Sequence, residues 1–318
     1  MLYRFAFLAC ASISLVSYAF EKEQSEYKPK WKFGAESMVV PLRKVLVRRP
    51  TDDFGVEDYK KWHYTGKPDV AKAQKEHDDF VAILKKEGVE VFYHNEPCPG
   101  RADSIFVHDP ALVTHQGAVI LRMGKLLRRG EEDSIERALN QFGIPTLFKF
   151  SLNTLDRPIA TAEAGDILWL DEKTLAIGRG FRTNNKGIDL IKTLNIDVVT
   201  VDLPYDQGED ACLHLQSLIT LVDHKIAVVY KKLLAVSFVQ YLEKNGFTLI
   251  DVPEDEYARM ATNILTIRPK VCVTLEGNNK TKAMLEAAGC TVYTYKGDEI
   301  SLKAEGGPTC LTRPLLRD

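Results

Sequence analysis

The sequence predicts an α/β fold built as a ring of five ββαβ modules, and three observations predict it. A pattern of short β-rich runs and amphipathic stretches recurs five times along the chain. The helical stretches close at Gly88, Gly143, Asn195, Gly246 and Gly289, at spacings of 55, 52, 51 and 43 residues, and glycine or asparagine at those points suits a left-handed helix C-cap. Strands come in adjacent pairs joined by tight polar turns, Asp171-Glu172-Lys173 and Asp223-His224-Lys225. Such turns indicate hairpins and disfavour the rival doubly wound parallel sheet. The repeat suggests small sheets around a central channel, with the helices outside.

The elements follow in order. The first module has a strand at Lys44–Val47, a helix over Ala71–Lys86 and a strand at Val89–Tyr93. The second has strands at Ser104–Val107 and Ala118–Arg122, a helix at Glu131–Gln141 and a strand at Thr146–Phe150. The third has strands at Ile167–Leu170 and Thr174–Ile177, a helix at Lys186–Leu194 and a strand at Asp197–Val201. The fourth has strands at Leu218–Val222 and Ile226–Val229, a helix at Leu233–Asn245 and a strand at Thr248–Val252. The fifth has strands at Asn263–Ile267 and Val271–Thr274, a helix at Lys280–Ala288 and a strand at Thr291–Tyr295, followed by a tail towards Cys310.

Composition bounds the function. A chain of 318 residues at 45 % hydrophobic and 27 % charged can bury a large core, which excludes disorder and a disulfide-stapled miniprotein. Lys and Arg number 42 against 44 Asp and Glu, a net charge of −2, far from the basic signature of a nucleic-acid binder. Residues 1–19 read as a signal peptide: Arg4, an apolar run from Phe5 to Val16, then Ser17-Tyr18-Ala19. Residues 20–40 read as a polar linker, and residues 41–318 as a single α/β-propeller domain. The expected localisation is therefore secreted or periplasmic if the leader is cleaved, and cytoplasmic otherwise. No other segment reaches the roughly 18 apolar residues of a membrane span, so no membrane association is expected after leader removal. Five cysteines remain beyond the leader, without a CxxC pair, and the histidines are scattered; no metal is expected.

Four polar clusters abut apolar strands where a charge or a thiol has no packing rationale. They are Asp103-Ser104-Ile105-Phe106-Val107-His108-Asp109, Glu163-Ala164-Gly165-Asp166, Cys212-Leu213-His214-Leu215-Gln216, and Glu305-Gly306-Gly307-Pro308-Thr309-Cys310. Taken alone, Cys310 also fits a small buried hydrophobe and His214 a satisfied core histidine. Paired glycines before Cys310 free the backbone to turn sharply.

Together the clusters, in the order acid, acid, His, Cys, resemble the guanidine-modifying superfamily, most closely the dimethylarginine dimethylaminohydrolases. KVLVRRP, DSIFVHDPALVTHQGAV, LLRRGEE, the EAGD box, GRGFRTNNKG, CLHLQS and EGGPTCLTRPLL stand in the family's order. The resemblance implies a five-bladed pseudo-symmetric α/β propeller, the pentein fold, and a hydrolase acting on a small guanidino substrate without a cofactor. A homodimer is among the expected assemblies.

By resemblance Cys310 is the nucleophile that forms a covalent thiouronium, and His214 is the acid–base residue. Glu163 matches the carboxylate that grips the guanidinium, with Asp109 and Asp103 as the second acidic wall and Asp166 in support. Arg182, and Arg128 or Arg129, match the arginines that hold the substrate α-carboxylate. Three positions depart from the family's pattern. Ala164 stands where many relatives carry glycine, so it needs negative φ. His108 occupies an often acidic position. Gln216 replaces an aspartate with which arginine deiminases hold unsubstituted guanidinium nitrogens. That last difference ranks dimethylarginine hydrolysis, giving citrulline and dimethylamine, ahead of arginine deimination and amidino transfer. An inactive propeller used for binding is the non-enzymatic alternative.

Overall fold

The computed structural model describes residues 30–150, 159–209 and 213–318. The expected leader lies outside these, as does most of the expected linker. Of the chain before Phe33 only residues 30–32 are described, and they carry no helix or strand.

The folded body runs from Phe33 to Asp318, so it begins earlier than the expected Pro41. The Gly34 N–H donates to Leu315 O at 2.8 Å, the Arg317 N–H to Gly34 O at 2.8 Å, and the Ala35 N–H to Val113 O at 2.9 Å. Ala35 and Val39 are buried. Backbone pairing and two small side chains anchor this stretch, which a polar composition does not reveal.

Fifteen described strands form five three-stranded sheets. In the second to fifth blades, two consecutive strands pair antiparallel and a helix then crosses to a third, parallel strand. These blades are β3 (Ala111–Thr114), β4 (Gly117–Ile120) and β5 (Thr146–Lys149); β6 (Ile167–Trp169), β7 (Thr174–Arg179) and β8 (Asp197–Asp202); β9 (Ile219–Asp223), β10 (Ile226–Val229) and β11 (Thr248–Asp251); and β12 (Leu265–Arg268), β13 (Val271–Leu275) and β14 (Thr291–Tyr295). The first blade is completed by the end of the chain. Its middle strand β1 (Leu42–Val47) pairs parallel with β2 (Glu90–Tyr93) and antiparallel with β15 (Arg313–Arg317). Pro314 is tolerated because β15 lies at the edge of its sheet.

The crossover helices are α1 (Val70–Lys86), α2 (Glu131–Gln141), α3 (Asn185–Lys192), α4 (Val236–Lys244) and α5 (Asn279–Ala287). All five predicted closing residues have positive φ, between 61° and 85°, as a left-handed cap requires. In α1 the spacing of Ala73, His77, Phe80, Val81 and Leu84 puts one face in the core, where Phe80 meets Tyr295 of β14 at a ring separation of 4.9 Å. Burial is graded across each blade. The leading strands β3, β6, β9, β12 and β15 are almost wholly buried, and the third strands are largely half-exposed. The leading strands therefore line the ring's centre, as in a propeller.

Two elements differ from expectation. Residues 104–107 are not a strand; a 3-10 turn spans Ala102–Ile105, and β3 starts at Ala111. The run is apolar and buried, but the Phe106 carbonyl accepts from Arg128 Nη2 at 3.0 Å, which takes it out of any ladder. The fourth helix starts at Val236, after a 3-10 turn at Lys231–Leu233.

Removing residues 313–318 strips β15 from β1 and leaves the first blade open. The truncated chain is expected to lose its cooperative urea transition, followed by circular dichroism; a wild-type midpoint would refute the closing role of β15.

Candidate active site

The leading ends of the modules gather around a cavity of about 210 Å3. Cys310, His214, Asp109, Asp103, Arg128 and Arg182 all line it. Residues separated by more than two hundred positions thus converge, as the ordered motifs imply.

Cys310 is partly exposed. Its Sγ accepts from Asn263 Nδ2 at 3.1 Å, while Asn263 Oδ1 accepts from the Thr309 N–H at 3.1 Å. Asn263 thus holds both the sulfur and the turn that carries it. The paired glycines act differently from expectation, because neither has positive φ. Glu305 takes the left-handed turn at φ 59°. A Cβ on Gly306 would lie 2.2 Å from the Phe106 ring, and one on Gly307 2.5 Å from Asn263. The glycines permit close packing beneath the thiol.

His214 opens a 3-10 turn, Leu215–Ser217, with a reciprocal capping box: its side chain accepts from the Ser217 backbone, and Ser217 Oγ accepts from the His214 N–H at 3.3 Å. Its Nε2 faces Glu163 Oε2 at 2.8 Å. The ring lies against Gly165, where a Cβ would approach Nδ1 to 2.3 Å, so only glycine fits there. Ala164 has no positive φ, which removes the strain raised by its departure from the family pattern.

Glu163 is fully buried. Oε1 accepts from the Gly124 and Lys125 N–H groups at 2.8 and 3.0 Å, and Oε2 from Arg182 Nη1 at 3.0 Å as well as facing His214. Burial opposes its charge, but Arg182 and His214 outweigh this and hold the carboxyl far below the usual range. Its acceptor positions are thus occupied. The expectation that Glu163 grips a guanidinium is corrected: it stands behind the imidazole and does not line the cavity.

Asp109 lines the cavity and pairs with Arg128 Nη1, while its Oδ1 accepts from the Gly165 N–H at 3.0 Å. Burial works against its charge, yet Arg128 prevails and leaves the carboxyl lowered. Asp103 accepts from the Tyr64 hydroxyl and from Lys125 Nζ, each at 2.8 Å. Asp166 is buried behind the site, accepting from the Leu215 N–H at 3.0 Å, and burial pushes its carboxyl up to about 6.

The arginine pair is also corrected. Arg128 is held by Asp109, by Glu131 and by the Phe106 carbonyl, so it braces the acidic wall and offers no fork to a substrate carboxylate. Burial drives the Glu131 carboxyl up to about 7 against that same arginine. Arg129 does not line the cavity; its Nε donates to Met123 O at 3.2 Å. Arg182 remains on the lining.

His108 and Gln216 do not line the cavity either. They meet beneath it at 3.2 Å, with His108 Nδ1 on Thr312 O at 3.0 Å and the Gln216 amide on the Ala164 and Ile167 carbonyls at 3.0 and 2.6 Å. Burial, reinforced by Arg313, pushes His108 down to about 3. Gln216 therefore does not face the substrate nitrogens, and the ranking drawn from it loses its geometric basis.

Asn263, Lys125 and Tyr64 were not anticipated. Asn263 stands immediately before an apolar strand, the same signal that marked the other clusters, but inside a run read as strand. Asp109, Glu163 and His214 present ligand atoms within 4.8 Å of one another, a grouping that could hold a metal. Arg128, Arg182 and the backbone N–H groups already supply the positive charge there, so the donor set is suited to an internal ion-pair network.

The model of the family described as N,N dimethylarginine dimethylhydrolase, eukaryotic, matches residues 57–317. The chain belongs to this family. It is a hydrolase of C–N bonds in linear amidines, using the pentein cysteine mechanism on a guanidino group. It is 28 % identical over 253 residues to the N(G),N(G)-dimethylarginine dimethylaminohydrolase of Pseudomonas aeruginosa, covering 78 % of this chain and 91 % of that one. A solved structure of the Pseudomonas aeruginosa enzyme, a cysteine-to-serine variant complexed with citrulline, superposes with a TM-score of 0.68 at 26 % identity, over 87 % of this chain and all of that one. SxtG, an amidinotransferase from Microseira wollei, shares the fold at a TM-score of 0.71 and 16 % identity, over 90 % and 97 % of the two chains. The five-bladed α/β propeller is thus the fold of this family member.

Two predictions follow from the buried network. Because the Glu163 carboxyl is lowered in the fold, its stabilisation is complete above the unfolded pKa of about 4.3 and is lost as pH falls towards the folded value. Glu163→Gln should destabilise at pH 7, by urea denaturation, and the gap from wild type should narrow only once the pH falls below about 4.3; a gap that stays constant there would count against the ion-pair account. Asn263→Ala removes a donor to sulfur, so the pH midpoint of iodoacetamide labelling at Cys310 should rise by about one unit. An unchanged midpoint would show that Asn263 only packs.

Proposed function

We propose that this enzyme hydrolyses Nω-methylated arginine to citrulline and a methylated amine. The observation that carries the hydrolytic chemistry is the convergence of the Cys310 thiol, His214 backed by Glu163, and the Asp103 and Asp109 carboxylates on one cavity; the family match over residues 57–317 supports the methylated substrate.

The Cys310 thiolate attacks the guanidinium carbon, forming a C–S bond. His214, as imidazolium, protonates the methylated nitrogen, and that amine leaves with the C–N electron pair, giving a thiouronium. Water then attacks the same carbon and passes a proton to His214, and collapse expels the thiolate and, with the second proton released to the departing amine or solvent, leaves the neutral ureido group. Glu163 stabilises the imidazolium and fixes its orientation, a role its 2.8 Å contact supports. Asp109 and Asp103 face the cationic substrate. Both are already paired, with Arg128 and Lys125, so they are pre-oriented and need no rearrangement when substrate arrives. Arg182 is the candidate for the α-carboxylate, as an arginine on the cavity lining whose planar fork suits a carboxylate.

Purified enzyme should release citrulline from asymmetric dimethylarginine and monomethylarginine faster than from arginine, and Cys310→Ser should abolish turnover. Preference for arginine would assign a deiminase. Product formation only with an added amine acceptor would assign a transferase, and no turnover with any of them would favour a binding role.

A further inference from the structure

A second cavity lies on the ring axis and shares no lining residue with the first. Every leading strand contributes to it: Leu112 from β3, Ile167 from β6, Thr220 from β9, Thr266 from β12 and Arg313 from β15. Arg317, at the other end of β15, lines it too. It leaves about 20 Å3 for the centre of a water-sized particle, room for a single one at the ~10–15 Å3 that each needs.

Its charge is unbalanced. Arg313 and Arg317 are only 6 % and 7 % exposed, and no Asp or Glu among the described residues lines the cavity. Three of their terminal nitrogens are held by neutral carbonyls. Arg313 Nη1 donates to His108 O and Ala111 O at 3.1 and 2.5 Å; Arg317 Nη1 donates to Val40 O at 2.7 Å and Nη2 to Thr266 O at 2.8 Å. Three further donors have no partner among the described residues: Arg313 Nε, Arg317 Nε and the Thr220 hydroxyl. Burial pushes Arg313 down to about 10, and burial with the field of Arg313 pushes Arg317 down to about 9. The acid that counters Arg313 is Asp109, which is already paired with Arg128. Two buried cations without a counter-ion are costly.

We propose that the axial cavity binds one monoatomic anion of halide size, such as chloride, through the Nε–H groups of Arg313 and Arg317 and the hydroxyl of Thr220. An acceptor-only ligand matches a lining that presents unused donors. A water molecule would bring two hydrogens of its own and no charge, and sulfate or phosphate exceeds the room.

Crystals grown without halide and soaked in sodium bromide test the site directly. The expected result is an anomalous peak in contact with both guanidinium groups. In solution the melting temperature should be higher in sodium chloride than in sodium gluconate at equal ionic strength, by about 2–4 °C. Thr220→Val, which keeps the side-chain shape and both arginines, should shrink that difference; Arg317→Met should abolish it where the variant folds. Bromide absent from this cavity, or equal melting temperatures in the two salts, would overturn the proposal.

Discussion

The carboxylate of Glu163 is the point on which the site depends. Its four contacts come from three modules: the Gly124 and Lys125 backbone follows β4, Arg182 follows β7, and His214 precedes β9. A carboxylate buried without such partners would cost several kcal/mol. With them it sets the distance between three blades and the plane of the imidazole together. Asp109 repeats the device one layer away, joining Arg128 to the Gly165 backbone. Asp109 is therefore both part of the cavity's electrostatic surface and a fastening between blades, while Glu163 fastens from behind the imidazole.

The repeat was legible because each module obeys the same local chemistry. Strand pairs separated by Asp171-Glu172-Lys173 or Asp223-His224-Lys225 had to turn back on themselves, and the helix-closing residues adopt the left-handed conformation that their types allow. The leading strand of the first blade was hidden, because it lies more than 260 positions from its partner and contains a proline and two arginines. Long-range pairing leaves no mark in local periodicity. The burial of Arg313 and Arg317 in particular runs against any reading from composition.

At the site, residue identity was more legible than residue role. Cys310, His214, Asp103 and Asp109 arrive at one cavity, but whether a carboxylate or guanidinium faces the substrate or braces a neighbour depends on which partners occupy its hydrogen-bonding positions. Glu163 and Arg128 have theirs filled from within the protein. Gln216 makes the same point: two residues from His214 in sequence, its amide is turned down onto backbone carbonyls and His108. A 3-10 turn between them separates their directions.

The position of the nucleophile in the chain has a temporal consequence. Cys310 precedes β15 by only two residues, and β15 is the strand that finishes the first blade beside β1. Each of the other four blades pairs strands close in sequence, whereas this one needs the long-range β1–β15 pairing that also seats the sulfur, a contact whose loop-closure cost is expected to make it late. Until that pairing forms, the imidazole and the acidic wall have no thiol to serve. A growing or misclosed chain lacks the assembled site, so turnover, rather than the bare thiol, marks a ring that has shut.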